Sequence, residues 1–407
     1  MIGAGIVGAS AALALQDSGH TVTLIDPEAD VRGASWGNAG HIAVEQIEPL
    51  ASRAALKSVP RRLLDRNGAL CLPVGAIRHW LPFGVRMARA ASPARMAAGT
   101  KALTALLDQA MPAWRRLAAR LGDPALLRED GHYIVWDSIE SGSKGRANWT
   151  RLEREAARFR NLTSLEWLEL GDLLGGRLAD AVRCVGSGRI TDHRRLFQAI
   201  ERAFVGSGGV RLTGTAGLRR AEDGTVSVRM AGGATLVPDY VLLAAGVAAR
   251  ALAERIGLRV PMIAERGYHV QAPASRWPID MPPIVFEDRS MIVTRFERTV
   301  RASSFVEFAD PDRPPNPARW RGLRERIRDL RLPFDPPGSE WMGARPTLPD
   351  YLPAIGRSRH APNLLYAFGH QHLGLTLGPI TAEIVSALAA GRAPPVDITP
   401  FDLARFS

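Results

Sequence analysis

Gly3-Ala4-Gly5-Ile6-Val7-Gly8, answered by Asp26, is the stretch on which the reading of the fold turns. It spells Gly-x-Gly-x-x-Gly. A helix pattern follows over residues 9–18, then Gly19-His20, then the β-rich run Thr21-Val22-Thr23-Leu24-Ile25, which ends on Asp26. This order predicts the turn, helix and second strand of a βαβ unit, with an acid about 20 residues beyond the glycines. One glycine permits the tight turn, one lets the backbone approach a pyrophosphate, and one lets helix pack on strand. The phosphates lie at the helix N-terminus, where free N–H groups and the dipole favour negative charge. Asp26 accepts hydrogen bonds from a ribose diol. A Gly-rich match alone is as readily a plain tight turn; helix, strand and acid together make it a dinucleotide site. One departure stands out. The motif normally follows a full apolar strand, and only Met1-Ile2 precede Gly3. The expectation is a nearly absent first strand, a true start several residues upstream, and weakened cofactor affinity if the chain begins here.

The 407 residues suffice for two domains with separate cores, and 46% apolar content is ordinary for a globular protein. No uninterrupted run of about 18 apolar residues occurs, so no transmembrane helix is expected. The Gly-rich start lacks the basic region and cleavage site of a signal peptide. Cys71 and Cys184 have no metal-ligand spacing and fit a reducing, cytoplasmic setting. The formal net charge is +11, yet only three of the 52 basic residues are lysines and the arginines are scattered. That pattern argues against nucleic-acid binding and leaves a basic face resting on an anionic membrane as the more plausible use.

Along the chain, residues 33–41 (Gly33-Ala34-Ser35-Trp36-Gly37-Asn38-Ala39-Gly40-His41) suit a loop lying against a ligand. Residues 43–122 are mostly helical in pattern, with Leu103, Leu106, Leu107, Ala110, Trp114, Leu117 and Leu121 forming a core stripe. A strand is predicted at 131–136, an amphipathic helix at 146–160, and a helix from Asp192 to about 204. Short strands follow at 210–213, 226–230 and 240–244, the last ending in Ala245-Gly246 as a parallel strand reaching a ligand would. Residues 261–310 alternate as an antiparallel sheet. A Pro-rich stretch then leads to a basic helix at 318–330. Near the C-terminus, a strand at 364–367 runs into Gly369-His370-Gln371-His372-Leu373-Gly374-Leu375-Thr376 and a helix from about Pro379 to Ala390. That helix N-terminus faces the ligand and stabilises negative charge on a bound ring.

These pieces resemble the D-amino-acid oxidase/dehydrogenase superfamily of FAD enzymes over nearly the whole chain. Ser35-Trp36-Gly37-Asn38-Ala39-Gly40 is close to the Ser-Phe-Gly-Asn-Ala-Gly loop of its D-amino acid dehydrogenase branch. Gly343-Ala344-Arg345-Pro346 with Pro349-Asp350 looks like the family's Gly-x-Arg-Pro-x-x-Pro-Asp segment, and Gly369–Thr376 like its flavin-edge loop. The spelling of that loop is most similar to D-hydroxyproline dehydrogenases. The resemblance implies FAD held by Gly3, Gly5, Ile6, Val7, Gly8, Asp26, Ser35, Asn38, Ala39, Gly40, Ala245, Gly246, Gly343, Gly369, His370, Leu373, Gly374, Leu375 and Thr376. It implies Arg345 as the clamp on the substrate carboxylate, with a structural ion pair as the alternative. Tyr268 and His372 are implied beside the substrate, with core packing and capping as alternatives. Attachment of the flavin is expected to be non-covalent. Relatives that bind it covalently use a His one position after the counterpart of Trp36, where this chain has Gly37, or a late Cys, and none follows Cys184.

The expected fold is α/β: a discontinuous Rossmann-like FAD-binding domain (1–66, 183–258 and 341–407) and an α+β substrate domain with an antiparallel sheet (67–182 and 259–340). The expected reaction is oxidation of the Cα–N bond of a small amino acid by hydride transfer to flavin N5, with electrons passing to a quinone chain or O2. No second Gly-x-Gly-x-x-Gly marks an NAD(P)H site. Three alternatives remain at this point: a glycine/sarcosine-type oxidase, a tRNA-modifying FAD oxidoreductase, and a non-catalytic flavin-binding protein.

Overall fold

The computed structural model describes residues 1–29, 33–51, 59, 68–335 and 338–406. Residues 52–58 and 60–67, part of the 43–122 span expected to be mostly helical, lie outside the described residues.

Two sheets organise the molecule. The nucleotide sheet runs Val210–Thr213, Thr23–Asp26, Ile2, Val241–Leu243, Leu364–Phe368, Ala354–Arg357. All pairings in it are parallel except that of Ala354–Arg357. The first strand is as short as expected, but the sheet does not lack it. Ile2 bridges Ile25 on one side and Leu243 on the other. Ile2 N donates to Leu242 O and Gly3 N donates to Ile25 O, each at 2.9 Å. Buried runs such as Val241–Leu243 have helices on their faces, as parallel strands require. The first helix, Ile6–Asp17, packs against Gly374–Ala389, and its buried face is Ala-rich, so the two backbones approach closely.

The second sheet has nine strands, mostly antiparallel. Its main path is Ser339–Thr347, Ile263–Pro273, Thr299–Ala309, Met291–Arg295, Ile284–Phe286, His132–Trp136, Asp180–Val185, Arg158–Arg160. Ile284–Phe286 pairs in parallel with Tyr133–Val135, which alternation alone does not reveal. The boundary drawn at 341 falls inside Ser339–Thr347, which pairs over its whole length with residues 263–271. That at 183 falls inside Asp180–Val185.

Two helix expectations need correction. The helix expected at 146–160 is Ile139–Arg151, started by Ser138, whose hydroxyl accepts from Ser141 N. Residues 158–160 form a strand against 183–185 instead. The C-terminal helix starts at Gly374, not at Pro379. Proline inside a helix frees the carbonyl four residues back. Here that carbonyl is Leu375 O, and the buried Trp114 Nε1 donates to it at 3.1 Å and to Thr376 O at 3.2 Å. An indole 261 residues away in sequence makes Pro379 tolerable. Together with the preceding turn, as Gln371–Ala389, this helix has the length and apolarity of a membrane span, but 78% of that apolar window is buried within the protein.

Candidate active site

The C-terminal ends of the parallel strands and one face of the second sheet enclose a cavity of about 1170 Å³. That exceeds the roughly 300–1,000 Å³ of ordinary small-molecule sites. The nucleotide-sheet side is lined by Gly3–Val7, Asp26, Ser35, Ala245 and Gly246. The other side carries Glu265, Tyr268, Met291, Phe305, Gly343 and Arg345, with His370, His372, Gly374 and Leu375 at the C-terminal helix.

The glycine turn fits a dinucleotide for steric reasons. Gly3 has φ +103°, and a Cβ there would lie 2.5 Å from Ala244 O. A Cβ on Gly8 would run into Gly3 O. Gly5 leaves space in front of the helix, where an added Cβ would meet Ser35 Oγ at 3.2 Å. Ile6 N donates to Ser35 Oγ at 3.1 Å, so Ser35 ties the 33–41 loop to the helix start. The other N–H groups of the first turn have no intrahelical acceptor and are available to phosphate. Asp26 accepts from Ala4 N at 2.7 Å and Glu28 N at 3.0 Å, one bond per oxygen. Each oxygen keeps a lone pair for a ribose hydroxyl.

Asn38 and Ala39 also line the cavity, beside Gly37. The Trp341 indole fills the place a Gly37 side chain would take, and it stacks on His269 at 5.1 Å. The buried Arg301 donates to Trp36 O at 3.1 Å and also to Asn38 O. Desolvation pulls its pKa down to about 9, against the opposing pull of Asp192. Sequence reasoning missed this anchor, because nothing in Val300-Arg301-Ala302 says which way the side chain turns.

Five expected cofactor residues do not line the cavity. Gly8 lies behind the turn, Gly40 sits against Phe296, and Gly369 sits against Leu348. Leu373 is in an apolar core, and Thr376 Oγ1 accepts from Ala43 N at 2.9 Å. They shape the site from behind.

Arg345 meets the cavity with its side chain 24% exposed. Its Nη1 donates to Glu265 Oε1 at 3.0 Å and to Phe305 O at 3.1 Å. Among the described residues these are its hydrogen bonds, so the Nε and Nη2 donors remain for a ligand. The ion pair and the clamp are therefore compatible. Three unforeseen residues build this geometry. Glu265 is 1% exposed and also accepts from Thr347 Oγ1 at 3.2 Å and Tyr351 Oη at 3.3 Å. Gly267 has no side chain where the Arg345 guanidinium lies. The register of Ile263–Pro273 against Thr299–Ala309 shifts at Gly267, and opposite it Phe305 holds φ +72°, which turns its carbonyl to Arg345.

Tyr268 is a core residue, 1% exposed. Its hydroxyl donates to Glu307 Oε1 at 3.1 Å and accepts from Arg266 Nη2 at 3.3 Å and Asn316 N at 3.2 Å. Only its ring is left for the cavity wall. His370 is 2% exposed and bonded to Thr381 Oγ1 at 3.0 Å; burial depresses its pKa to about 3. His372 is partly exposed, but to the cavity rather than to bulk water. Burial again depresses it, to about 4, against the opposing pull of Glu265. Both rings are neutral near pH 7.

Sequence reading also missed the buried group His41, Glu45 and His132. His41 Nε2 lies 3.0 Å and His132 Nε2 3.9 Å from Glu45 Oε1. Burial pushes Glu45 up, and the two histidines outweigh it, leaving about 2. Burial dominates at His132 and pulls it to about 3.

Neutral buried histidines make stability depend on pH. Below about 6.5 the unfolded chain takes up protons that these rings refuse, so the folded state loses free energy as pH falls. Stability is complete above about 6.5 and lost progressively toward 3–4, by about 1.4 kcal/mol per pH unit for each ring. The melting temperature is expected to drop between pH 7 and pH 5, and His370→Gln to reduce that slope. A flat profile over this range would contradict the assignment.

Similarity to known proteins shows the family. The family model described as FAD dependent oxidoreductase matches residues 1–388. The chain belongs to the FAD-dependent oxidoreductase family. A D-amino-acid oxidase of Bradyrhizobium diazoefficiens is 31% identical, covering 100% of this chain and 98% of its own length. A D-amino acid dehydrogenase 2 of Mesorhizobium japonicum is 28% identical over 98% of this chain and 97% of its own. Among solved structures, glycine oxidase from Geobacillus kaustophilus superposes with TM-score 0.74 at 20% identity, covering 99% of this chain and 97% of that one. Iminodiacetate oxidase from Chelativorans sp. gives 0.72, also at 20% identity, covering 98% and 97%. As an FAD enzyme with Gly37 and no late cysteine, the protein is expected to release yellow FAD into the supernatant on acid precipitation. Flavin left in the pellet would show a covalent link.

Proposed function

We propose that this FAD-dependent oxidoreductase oxidises the Cα–N bond of a small amino acid, of the D-amino acid or D-hydroxyproline kind, and passes electrons to a quinone chain or O2. The observation that carries the reading is Arg345: a guanidinium at the cavity wall whose Nη1 is held by Glu265, with Nε and Nη2 unbonded among the described residues. A planar fork binds a carboxylate through two parallel bonds and fixes its plane, as an ammonium cannot. When bound, FAD supplies the two-electron acceptor for the Cα–H bond. The protein's part is positioning. Glu265 and the Phe305 carbonyl hold Arg345 still. Met291, Phe305 and the Tyr268 ring limit substrate size and exclude water. His372, neutral in the cavity, hydrogen-bonds the substrate nitrogen without adding a second cation beside Arg345.

The test is anaerobic bleaching of the bound flavin by a panel of D- and L-amino acids, prolines and N-methyl glycines. Bleaching by D-enantiomers, strongest for small or cyclic ones, is the expected result. Response to glycine and sarcosine alone would point to the glycine/sarcosine-type oxidase. No response to any amino acid would sink the proposal.

A further inference from the structure

The helix Ile77–Ala90 stands out from the rest of the surface. Its inner face buries Phe83, Met87 and Ala90. Its outer face leaves Ile77, Leu81 and Val85 exposed at 46%, 49% and 47%, and Val74 in the preceding turn at 83%. Ile77, Leu81 and Val85, spaced four residues apart, form one stripe along the helix. Arg78, Arg86 and Arg89 are exposed beside it. From Arg66 to Leu107 the chain contains no Asp or Glu. Some exposed arginines elsewhere are matched: Arg115 with Glu129, Arg116 with Glu383, Arg120 with Asp17, Arg195 with Asp123. Among the described residues, Arg78, Arg86 and Arg89 have no carboxylate partner. The nearby acid is Asp310, and it sits 3.6 Å from His79.

A second apolar surface gives the contrast. On Ser164–Leu173, Leu165, Trp167 and Leu168 are exposed at 64%, 40% and 68%. That helix carries Glu166, Glu169 and Asp172, so an anionic surface would repel it. Of these two surfaces, the face of Ile77–Ala90 joins an apolar stripe to unmatched cations, the pattern of a helix lying in a lipid–water interface.

We infer that this face docks the protein on an anionic lipid surface. Val74, Ile77, Leu81 and Val85 enter the boundary between headgroups and acyl chains, and Arg78, Arg86 and Arg89 meet lipid phosphates. The inference does not rest on the amino-acid reading of the cavity.

The experiment is co-sedimentation of the holoenzyme with vesicles of equal phosphatidylglycerol and phosphatidylcholine, and of phosphatidylcholine alone. Binding is expected to the anionic vesicles and to weaken as salt shortens the electrostatic range. Arg86→Glu with Arg89→Glu is expected to lower partitioning at least about twentyfold, since each surface cation contributes roughly 1 kcal/mol. Leu81→Asp with Val85→Asp is expected to abolish binding. Flavin content and melting temperature serve as folding controls. The inference is overturned if the wild type ignores anionic vesicles or binds both kinds equally. It is also overturned if well-folded variants bind like the wild type, or if the stripe proves to join two copies in a dimer that Leu81→Asp dissociates.

Discussion

Arg345→Ala is expected to lower kcat/KM for the amino-acid substrate by at least about a hundredfold, and Arg345→Lys by at least about tenfold. A charge-assisted hydrogen bond contributes about 1.5–3 kcal/mol, and each 1.4 kcal/mol is tenfold. Alanine removes both arms of the fork; lysine keeps charge but loses the geometry. The structure adds a complication. Alanine also strips Glu265 Oε1 of its cationic partner at a 1% exposed position, which destabilises the fold on its own account. Pairing Arg345→Ala with Glu265→Gln separates the two effects. The double variant is expected to regain melting temperature while kcat/KM stays low. Full activity in Arg345→Ala would remove the clamp from the mechanism. Activity restored in the double variant would make Arg345 purely structural.

Gly8→Ala is expected to cut the FAD retained after desalting at least about tenfold and to lower the melting temperature. The added Cβ would meet Gly3 O, a backbone atom in the turn that receives the phosphates. Neither atom can yield without moving the turn or the helix, and overpacking of this kind costs about 1–3 kcal/mol or more. Gly171→Ala is the control, because nothing lies within 4 Å of a Cβ there. It is expected to leave FAD content unchanged. Normal flavin content in Gly8→Ala would show that the turn relaxes freely.

Local features are legible in the residues alone. The glycine spacing with Asp26 specified the nucleotide turn, since only residues without Cβ fit there. Period-two alternation marked the antiparallel strands, Asp192 the start of its helix, and the Leu103–Trp114 stripe a core. The motifs around Arg345 and Gly369 pointed to the family. Relations between distant segments are set by packing. The C-terminal helix begins before Pro379 because Trp114 takes up the freed carbonyl. Tyr268 turns inward because Glu307, Arg266 and Asn316 satisfy its hydroxyl. Arg345 faces the cavity because Glu265, the space at Gly267 and the turned carbonyl of Phe305 hold it there. Buried polar groups need partners, and a one-dimensional pattern does not say which distant residue supplies them. Local propensity and period are written in neighbours; the direction of a buried charge is settled only when the chain closes around it.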